Sequence, residues 1–326
     1  MEKKISTAFT ELLNCEYPII AGPMFLVSDE TLVTAVAEGG GVGGMPSLNW
    51  RKAEEFRAAI RKVKAGTQKP FAINIIVNKS NVRQAIDLDI CAEEKVPLLI
   101  TSLGNPKDVI KRMHEVGGKV FCDVTNLAYA QKVQDLGADG VIAVSAGAGG
   151  HAGPTSPLVL LPYLKKHLTI PVVAAGGIAN GAQMAAALLL GASAVQVGTR
   201  FIASTEAKVD QKYKDAILKS EPEDIVLTQR ISGTPAAVIR TPYIDKVGLE
   251  LSGFENFLLK HELTKKYAKM ARSLIGAAAL QKAASQTTWK EVWSAGQGVG
   301  LIDDILPAAE IIQRMVREYR GARIPE

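Results

Sequence analysis

The stretch Leu168–Thr199, LTIPVVAAGGIANGAQMAAALLLGASAVQVGT, decides the fold. It carries no charged side chain and is long enough to span a bilayer. Pro171, Gly176-Gly177, Asn180-Gly181 and Gln183 interrupt it, which argues against one apolar helix and for strand, turn, helix and strand. Two apolar runs, Pro171–Ala175 and Ala194–Val197, then flank a helix. That is the unit of a parallel sheet with helical crossovers, buried on both faces.

The same unit recurs towards the N-terminus. Short apolar, β-branched runs occur at Tyr17–Ile20, Gly41–Met45, Phe71–Val77, Pro97–Thr101, Lys119–Val124 and Gly140–Ser145, and with the two above they start roughly 21 to 31 residues apart. Each interval fits one strand, one helix and two short loops. Ser28 before a helix that ends at Gly39, and Asn126 before Leu127–Leu136 and Gly137, supply caps. The corner Leu136-Gly-Ala-Asp-Gly-Val-Ile142 returns as Leu190-Gly-Ala-Ser-Ala-Val-Gln196, an echo of one helix-to-strand turn. Eight units followed by closure predict an α/β fold of the (β/α)8 TIM-barrel type, since a doubly wound sheet usually has fewer strands.

Beyond Arg200 the pattern changes. Glu206 to about Ser285 loses strand runs and reads as charged and helical, and from Thr288 the chain returns to a last helix, Ala308–Tyr319. The expected organisation is a barrel of residues 1–204 plus 288–326, with an inserted mainly helical cap and substrate domain of residues 205–287.

Composition narrows the function classes. The 326 residues are 47% hydrophobic and 22% charged, with a net charge of +5, which suits a packed globular enzyme with a mild preference for anionic small ligands. No block of five like charges supports a nucleic-acid partner, and the interrupted stretch above argues against a membrane partner. Cys15, Cys91 and Cys122 are odd in number and far apart, so neither disulfides nor a zinc site is expected. A cytoplasmic location is the default expectation, and a homodimer is compatible with everything above.

In a barrel the ligand lies at the C-terminal ends of the strands. Those ends read Ala21-Gly22-Pro23-Met24, Asn74, Ser145-Ala-Gly-Ala-Gly149-Gly150-His151, Ala175-Gly176-Gly177-Ile178 and Gly198-Thr199-Arg200. Glycines after strands seven and eight let backbone N–H groups approach a phosphate, with the Thr199 hydroxyl as a further donor; the same glycines would also serve plain tight turns. Gly39-x-Gly41-x-x-Gly44 matches the dinucleotide fingerprint formally, but it enters a strand where the fingerprint should leave one. Of the four histidines, His114 and His167 fall on outer helices and His261 among charged cap residues, all three as solvated groups. His151 instead sits among glycines at the barrel mouth, where an imidazole suits proton abstraction or anion binding. A purely structural loop histidine fits the same spacing.

The stretches Tyr-Pro-Ile-Ile-Ala-Gly-Pro-Met24, Pro-Phe-Ala-Ile-Asn74, Gly-Asn-Pro106, Ala-Gly-Gly-His151-Ala-Gly, Val-Ala-Ala-Gly-Gly-Ile178-Ala-Asn-Gly, Val-Gln-Val-Gly-Thr-Arg-Phe201 and Ala-Gly-Gln297 together resemble the nitronate monooxygenases, formerly 2-nitropropane dioxygenases, and their relatives the flavin-dependent enoyl-acyl-carrier-protein reductases and NADH:quinone reductases. The resemblance runs along nearly the whole chain in order. It implies FMN, with its phosphate on Gly176-Gly177 and Gly198-Thr199 and its ring against Ala21, Gly22, Pro23 and Met24. Asn74, Gly149, Gly150, Ala175 and Gln297 would lie nearby and His151 would face the flavin as the catalytic residue. The implied reaction oxidises an alkyl nitronate with molecular oxygen. The alternatives are an NAD(P)H-dependent reductase of enoyl thioesters or quinones and a non-catalytic flavin-binding protein. Two departures matter. Relatives often read Gly-Gly-Met where Gly22-Pro23-Met24 stands, so one backbone donor is missing. The reductases carry a glutamate shortly before the histidine loop, where this chain has only small residues.

Overall fold

Eight parallel strands close in sequence order into one barrel in the computed structural model, which describes residues 3–78, 81–230, 235–250 and 292–323. They are β1 (Ile19–Ala21), β2 (Val42–Pro46), β3 (Phe71–Ile76), β4 (Leu98–Ser102), β5 (Lys119–Val124), β6 (Gly140–Val144), β7 (Val172–Ala175) and β8 (Ala194–Val197). Closure comes from β8 lying parallel to β1, with Ile20 beside Gln196. All eight fall on the runs read from the sequence, with ends shifted by a residue or two. The α/β barrel is therefore as expected.

A short helix, α1 (Ala8–Leu13), precedes β1. The outer ring is α2 (Glu30–Glu38), α3 (Ala53–Gly66), α4 (Gln84–Glu93), α5 (Lys107–His114), α6 (Leu127–Asp135), α7 (Pro157–His167) and α8 (Gly181–Leu189). Asn126 caps α6 as expected, accepting from the Tyr129 N–H. Ser28 does not cap α2: Asp29 accepts from the Thr31 and Leu32 N–H groups, while the Ser28 hydroxyl is drawn back to the β1 loop, accepting from the Met24 N–H and donating to Gly22 O. Leu168–Thr199 forms β7, α8 and β8. Among the described residues no helix is long and apolar enough to cross a membrane.

Side chains alternate across a strand, so every second residue enters the barrel. Ile20, Val42, Ala72, Leu98, Ile100, Phe121, Ile142, Val173 and Ala194 fill it, and Phe9 and Leu13 of α1 plug one end, with Phe9 edge-on to Phe121 at 5.9 Å between ring centres. Two residues further along, the alternation brings Gly22, Asn74, Ser102, Asp123, Val144, Ala175 and Gln196 to the top inner layer. An apolar fill thus ends in a partly polar floor beneath the mouth.

The Gly39–Gly44 segment serves packing. A Cβ at Gly43 would fall 2.5 Å from Val33 O, so this glycine lets α2 lie directly on β2, and one at Gly41 would fall 2.9 Å from Ile19 O of the neighbouring β1. The last helix, Ala308–Gly321, closes the ring between α2 and α8. A Cβ at Gly181 would come within 2.0 Å of Met315 O, the signature of backbone-to-backbone contact. Buried Arg200 holds the approach to that helix, donating to Asp304 O and Oδ1 at 2.9 Å each, while Arg314 takes Asp304 Oδ2 at 2.8 Å.

The insertion is not wholly helical. After the small turn α9 (Thr199–Ile202) and α10 (Gln211–Lys219) come β9 (Ile225–Thr228) and β10 (Ala236–Ile239), an antiparallel ribbon, and then α11 (Pro242–Val247). The returning chain joins the ribbon: the Ile239 N–H donates to Trp293 O, and Val238 bridges Ser294. The runs Ile-Val-Leu-Thr and Ala-Ala-Val-Ile are only four residues each. One face of the ribbon, Val226 and Val238, packs with Ile244 and Val292 in a small cluster of its own, while Ile225 and Ile239 join the main core. The remainder of the expected helical cap, residues 251–287, and His261 lie outside the described residues.

Candidate active site

The glycine loops meet on one side of the mouth. Gly176 (φ +119°) and Gly177 (φ +71°) follow β7 in backbone conformations that favour glycine. Nothing lies within 4 Å of where a Gly177 Cβ would stand. The turn is held from below, Gln183 donating from Nε2 to Gly177 O at 2.6 Å and accepting from the Ala179 N–H at 2.8 Å. Among the described residues, no protein acceptor meets the N–H groups of Gly176, Gly177 and Ile178, or those of Gly198 and Thr199 after β8. Grouped, open donors beside two strand ends make a cradle of the kind that can hold an anion such as phosphate.

The histidine loop and the returning chain cross this cradle. Gln297 N–H donates to Gly147 O at 3.0 Å, Gly296 N–H donates to the Thr199 hydroxyl at 2.9 Å, and a Cβ at Gly147 would lie 3.3 Å from Gln297 Oε1 and 3.6 Å from Gly177 Cα. A Cβ at Gly149 would strike Ala295 C at 2.8 Å, and one at Gly296 would strike Gly147 O at 2.4 Å. Gly150 pairs with Ala237 of β10 through two backbone bonds of 3.0 and 2.7 Å. One residue later stands His151. Its ring is reached by solvent, yet the surrounding protein desolvates it enough to lower its pKa from the ordinary imidazole value. At neutral pH it is the neutral, proton-accepting form.

Beside β8 the β1 loop, Gly22 to Met24, flanks the cradle and brings no spare backbone donor. Gly22 N–H is spent on Val197 O, Pro23 has none, and Met24 N–H is spent on Ser28. Gly22 faces the Gln196 side chain, 3.2 Å from a would-be Cβ, and Met24 Sδ leans within 3.7 Å of the corresponding point on Gly198. Ala175, at the top of β7, forms an apolar wall, whereas Ala21, at the end of β1, is buried outwards in the core between strands and helices. The other histidines lie elsewhere. His114 is not simply solvated, since its Nε2 lies 2.8 Å from Asp139 Oδ2, and the His167 ring stands edge-on to Tyr163. The cysteines are free and buried, burial pushing the Cys15 and Cys122 thiols up to about 12, so neither is a nucleophile.

Asn74 of the floor is read from the sequence, but Ser102, Asp123 and Gln196 escape it. Asn74 stands apart from the cradle and donates from Nδ2 to Ile100 O at 3.1 Å and Ser102 Oγ at 2.8 Å. Ser102 donates to Asp123 Oδ2 at 2.5 Å. Asp123 Oδ1 and Gln196 Oε1 are buried and meet no partner among the described residues. Burial pushes the Asp123 carboxyl up to about 6, the Ser102 hydrogen bond restraining the rise. A folded-state pKa above the unfolded one contributes stability that is complete below about pH 4 and is lost as pH rises through about 6. Relative to Asp123→Asn, the wild type should therefore lose about 2–3 kcal/mol of unfolding free energy between pH 4 and pH 8. Urea midpoints at the two pH values measure it; a difference that does not change with pH contradicts the assignment.

A barrel mouth with an anion cradle, a neutral histidine and an acceptor-rich floor has the parts of a small-molecule enzyme site. Residues 6–318 match the nitronate monooxygenase family, and the chain belongs to it. A Mycobacterium tuberculosis relative, the (3aS,4S,5R,7aS)-5-hydroxy-7a-methyl-1-oxo-octahydro-1H-indene-4-carboxyl-CoA dehydrogenase, is 31% identical over 96% of both chains. The nitronate monooxygenase of Pseudomonas aeruginosa is also 31% identical, over 96% of this chain and 99% of its own. Among solved structures, FabK from Thermotoga maritima superposes with a TM-score of 0.83 at 36% identity, covering 98% of this chain and 97% of its own. The nitroalkane oxidase of Streptomyces ansochromogenes superposes with a TM-score of 0.81 at 26% identity, covering 97% and 99%. The chain is thus an oxidoreductase of this family.

Proposed function

We propose that the chain is an FMN-dependent nitronate monooxygenase that oxidises alkyl nitronates with molecular oxygen. The observation that carries the cofactor reading is the cradle: open backbone donors of Gly176, Gly177, Gly198 and Thr199 fit a phosphate, and the Cβ-free space over Gly177 leaves room for it. Ala21, Gly22, Pro23 and Met24 would support a flat ring on one side, with Asn74, Ala175, Gly149, Gly150 and Gln297 around it. The orphaned acceptors Asp123 Oδ1 and Gln196 Oε1 suit a ligand that brings N–H or O–H donors. FMN, when bound, supplies the electron acceptor and the reaction with oxygen. The protein's own part is to orient the substrate and to handle one proton. His151, neutral at pH 7, accepts the α-proton of a nitroalkane or donates its N–H to the anionic oxygens of a nitronate. Residues 205–287 are proposed as the substrate domain.

What favours a nitronate over a thioester reductant cycle is the loop before His151. The Ser145 hydroxyl is spent on Ala175 O at 2.8 Å, Gly149 is pressed on Ala295, and the loop holds no acid that would repel an anion. A second reading, an NAD(P)H-dependent reductase or dehydrogenase acting on an acyl thioester, is favoured by the M. tuberculosis relative, which is named for a carboxyl-CoA substrate. Anaerobic mixing separates them. Rapid bleaching of the flavin by propyl nitronate is expected; bleaching by NADH with none by propyl nitronate would give the second reading instead.

A further inference from the structure

The floor of the mouth contains a directed chain of hydrogen bonds, Asn74 to Ser102 to Asp123. We propose that Ser102 and Asp123 are positioning residues that fix the polarity of the Asn74 amide, so that Asn74 presents its carbonyl oxygen, and not its NH2 group, to the cofactor ring. The inference rests on the FMN reading above and adds to it which ring atom the floor selects.

The direction follows from what each group can do. A backbone carbonyl only accepts, so the amide atom 3.1 Å from Ile100 O must be the nitrogen. A carboxylate likewise only accepts, so the single Ser102 proton points to Asp123 Oδ2. Ser102 Oγ is then left as an acceptor, and the second Asn74 N–H, 2.8 Å away, fills it. Both amide protons are consumed, and among the described residues no donor meets Asn74 Oδ1. Turning the amide over would set Oδ1 against Ile100 O and break both bonds. Register supports the arrangement: β3, β4 and β5 are consecutive neighbours, with Asn74 beside Ile100 and Thr101 beside Cys122, so three adjacent strands each contribute one polar residue to the same layer. The oxidised flavin ring system carries a single N–H, at its imide nitrogen, and an acceptor held in one orientation recognises that group. Asn74 is placed to contact the ring, whereas Ser102 and Asp123 act through it.

The test compares dissociation constants of the apoprotein for FMN and for FMN methylated at the imide nitrogen, read from quenching of flavin fluorescence. The wild type should prefer FMN by about tenfold, the worth of one buried hydrogen bond. Ser102→Ala should bring the ratio below about threefold, because the amide is then held by Ile100 alone. Ser102→Thr, which keeps the hydroxyl, should restore the wild-type ratio, and Ser102→Cys, nearly isosteric with a weak acceptor, gives the same reading if the alanine variant does not fold. An unchanged ratio in Ser102→Ala or Ser102→Cys, with FMN still bound, overturns the inference alone. Binding of neither flavin by the wild type overturns the cofactor reading and the inference with it.

Discussion

Replacing His151 with alanine is expected to lower kcat/KM for a neutral nitroalkane by about 10²–10⁴, the usual range for removing a positioned general base. A nitroalkane gives up an α-proton before it can be oxidised, and His151 is the titratable group that the glycine loop carries to the mouth. The Gly150–Ala237 bridge fixes the backbone just before it, so its position is set by both the barrel and the insertion. Because desolvation lowers its pKa, the wild-type rate should fall in acid as the imidazole protonates, level off below neutrality and stay flat through pH 7. The variant should lose that acidic limb. With a preformed nitronate no proton is removed, and losing one N–H to an anion should cost only about 1.5–3 kcal/mol, roughly ten- to a hundredfold. Steady-state kinetics with both substrates across pH distinguish base from anion-holder; equal loss on both substrates assigns His151 to the anion, and no loss on either removes it from the chemistry.

Gly177→Ala should weaken FMN binding by about a hundredfold while leaving the fold intact. A side chain at φ +71° costs about 1–2 kcal/mol of backbone strain. No protein atom lies within 4 Å of the new Cβ, so it meets only the space assigned to the phosphate. Gly117→Ala is the control. Gly117 has φ +80° and equally open surroundings, but it lies in the turn that leads into β5, at the other end of the barrel, so it should show the same strain with unaltered flavin affinity. Titration of both apoproteins with FMN measures the difference. Equal affinities in the two variants would mean that Gly176-Gly177 makes a turn and nothing more.

How much of this was legible in the sequence follows from what each element is buried against. The barrel strands are covered on both faces, so Val172–Ala175 stands out as a continuous apolar run and Phe71–Ile76 as one broken only by Asn74. The ribbon Ile225–Thr228 and Ala236–Ile239 is equally apolar but short and set among charges, so a helical insertion was the natural reading. The glycines at the mouth could be recognised, but whether Gly177 turns the chain or opens a cradle depends on the Gln183 bonds beneath it and the empty space above. Asn74 was visible as a polar residue in an apolar strand. Ser102 and Asp123 were not, because their partnership depends on the register of β4 beside β5, which no local spacing encodes. The cap of α2 shifts from Ser28 to Asp29 for a related reason: two adjacent capping residues compete, and the β1 loop takes the serine while Asp29 takes the helix.

Whether the mouth of this barrel is a flavin site is tested most directly by the absorbance spectrum of the purified protein. Flavin bands near one FMN per chain are expected, either on purification or after adding FMN and removing the excess. A colourless protein that retains no added FMN would contradict a flavin site there.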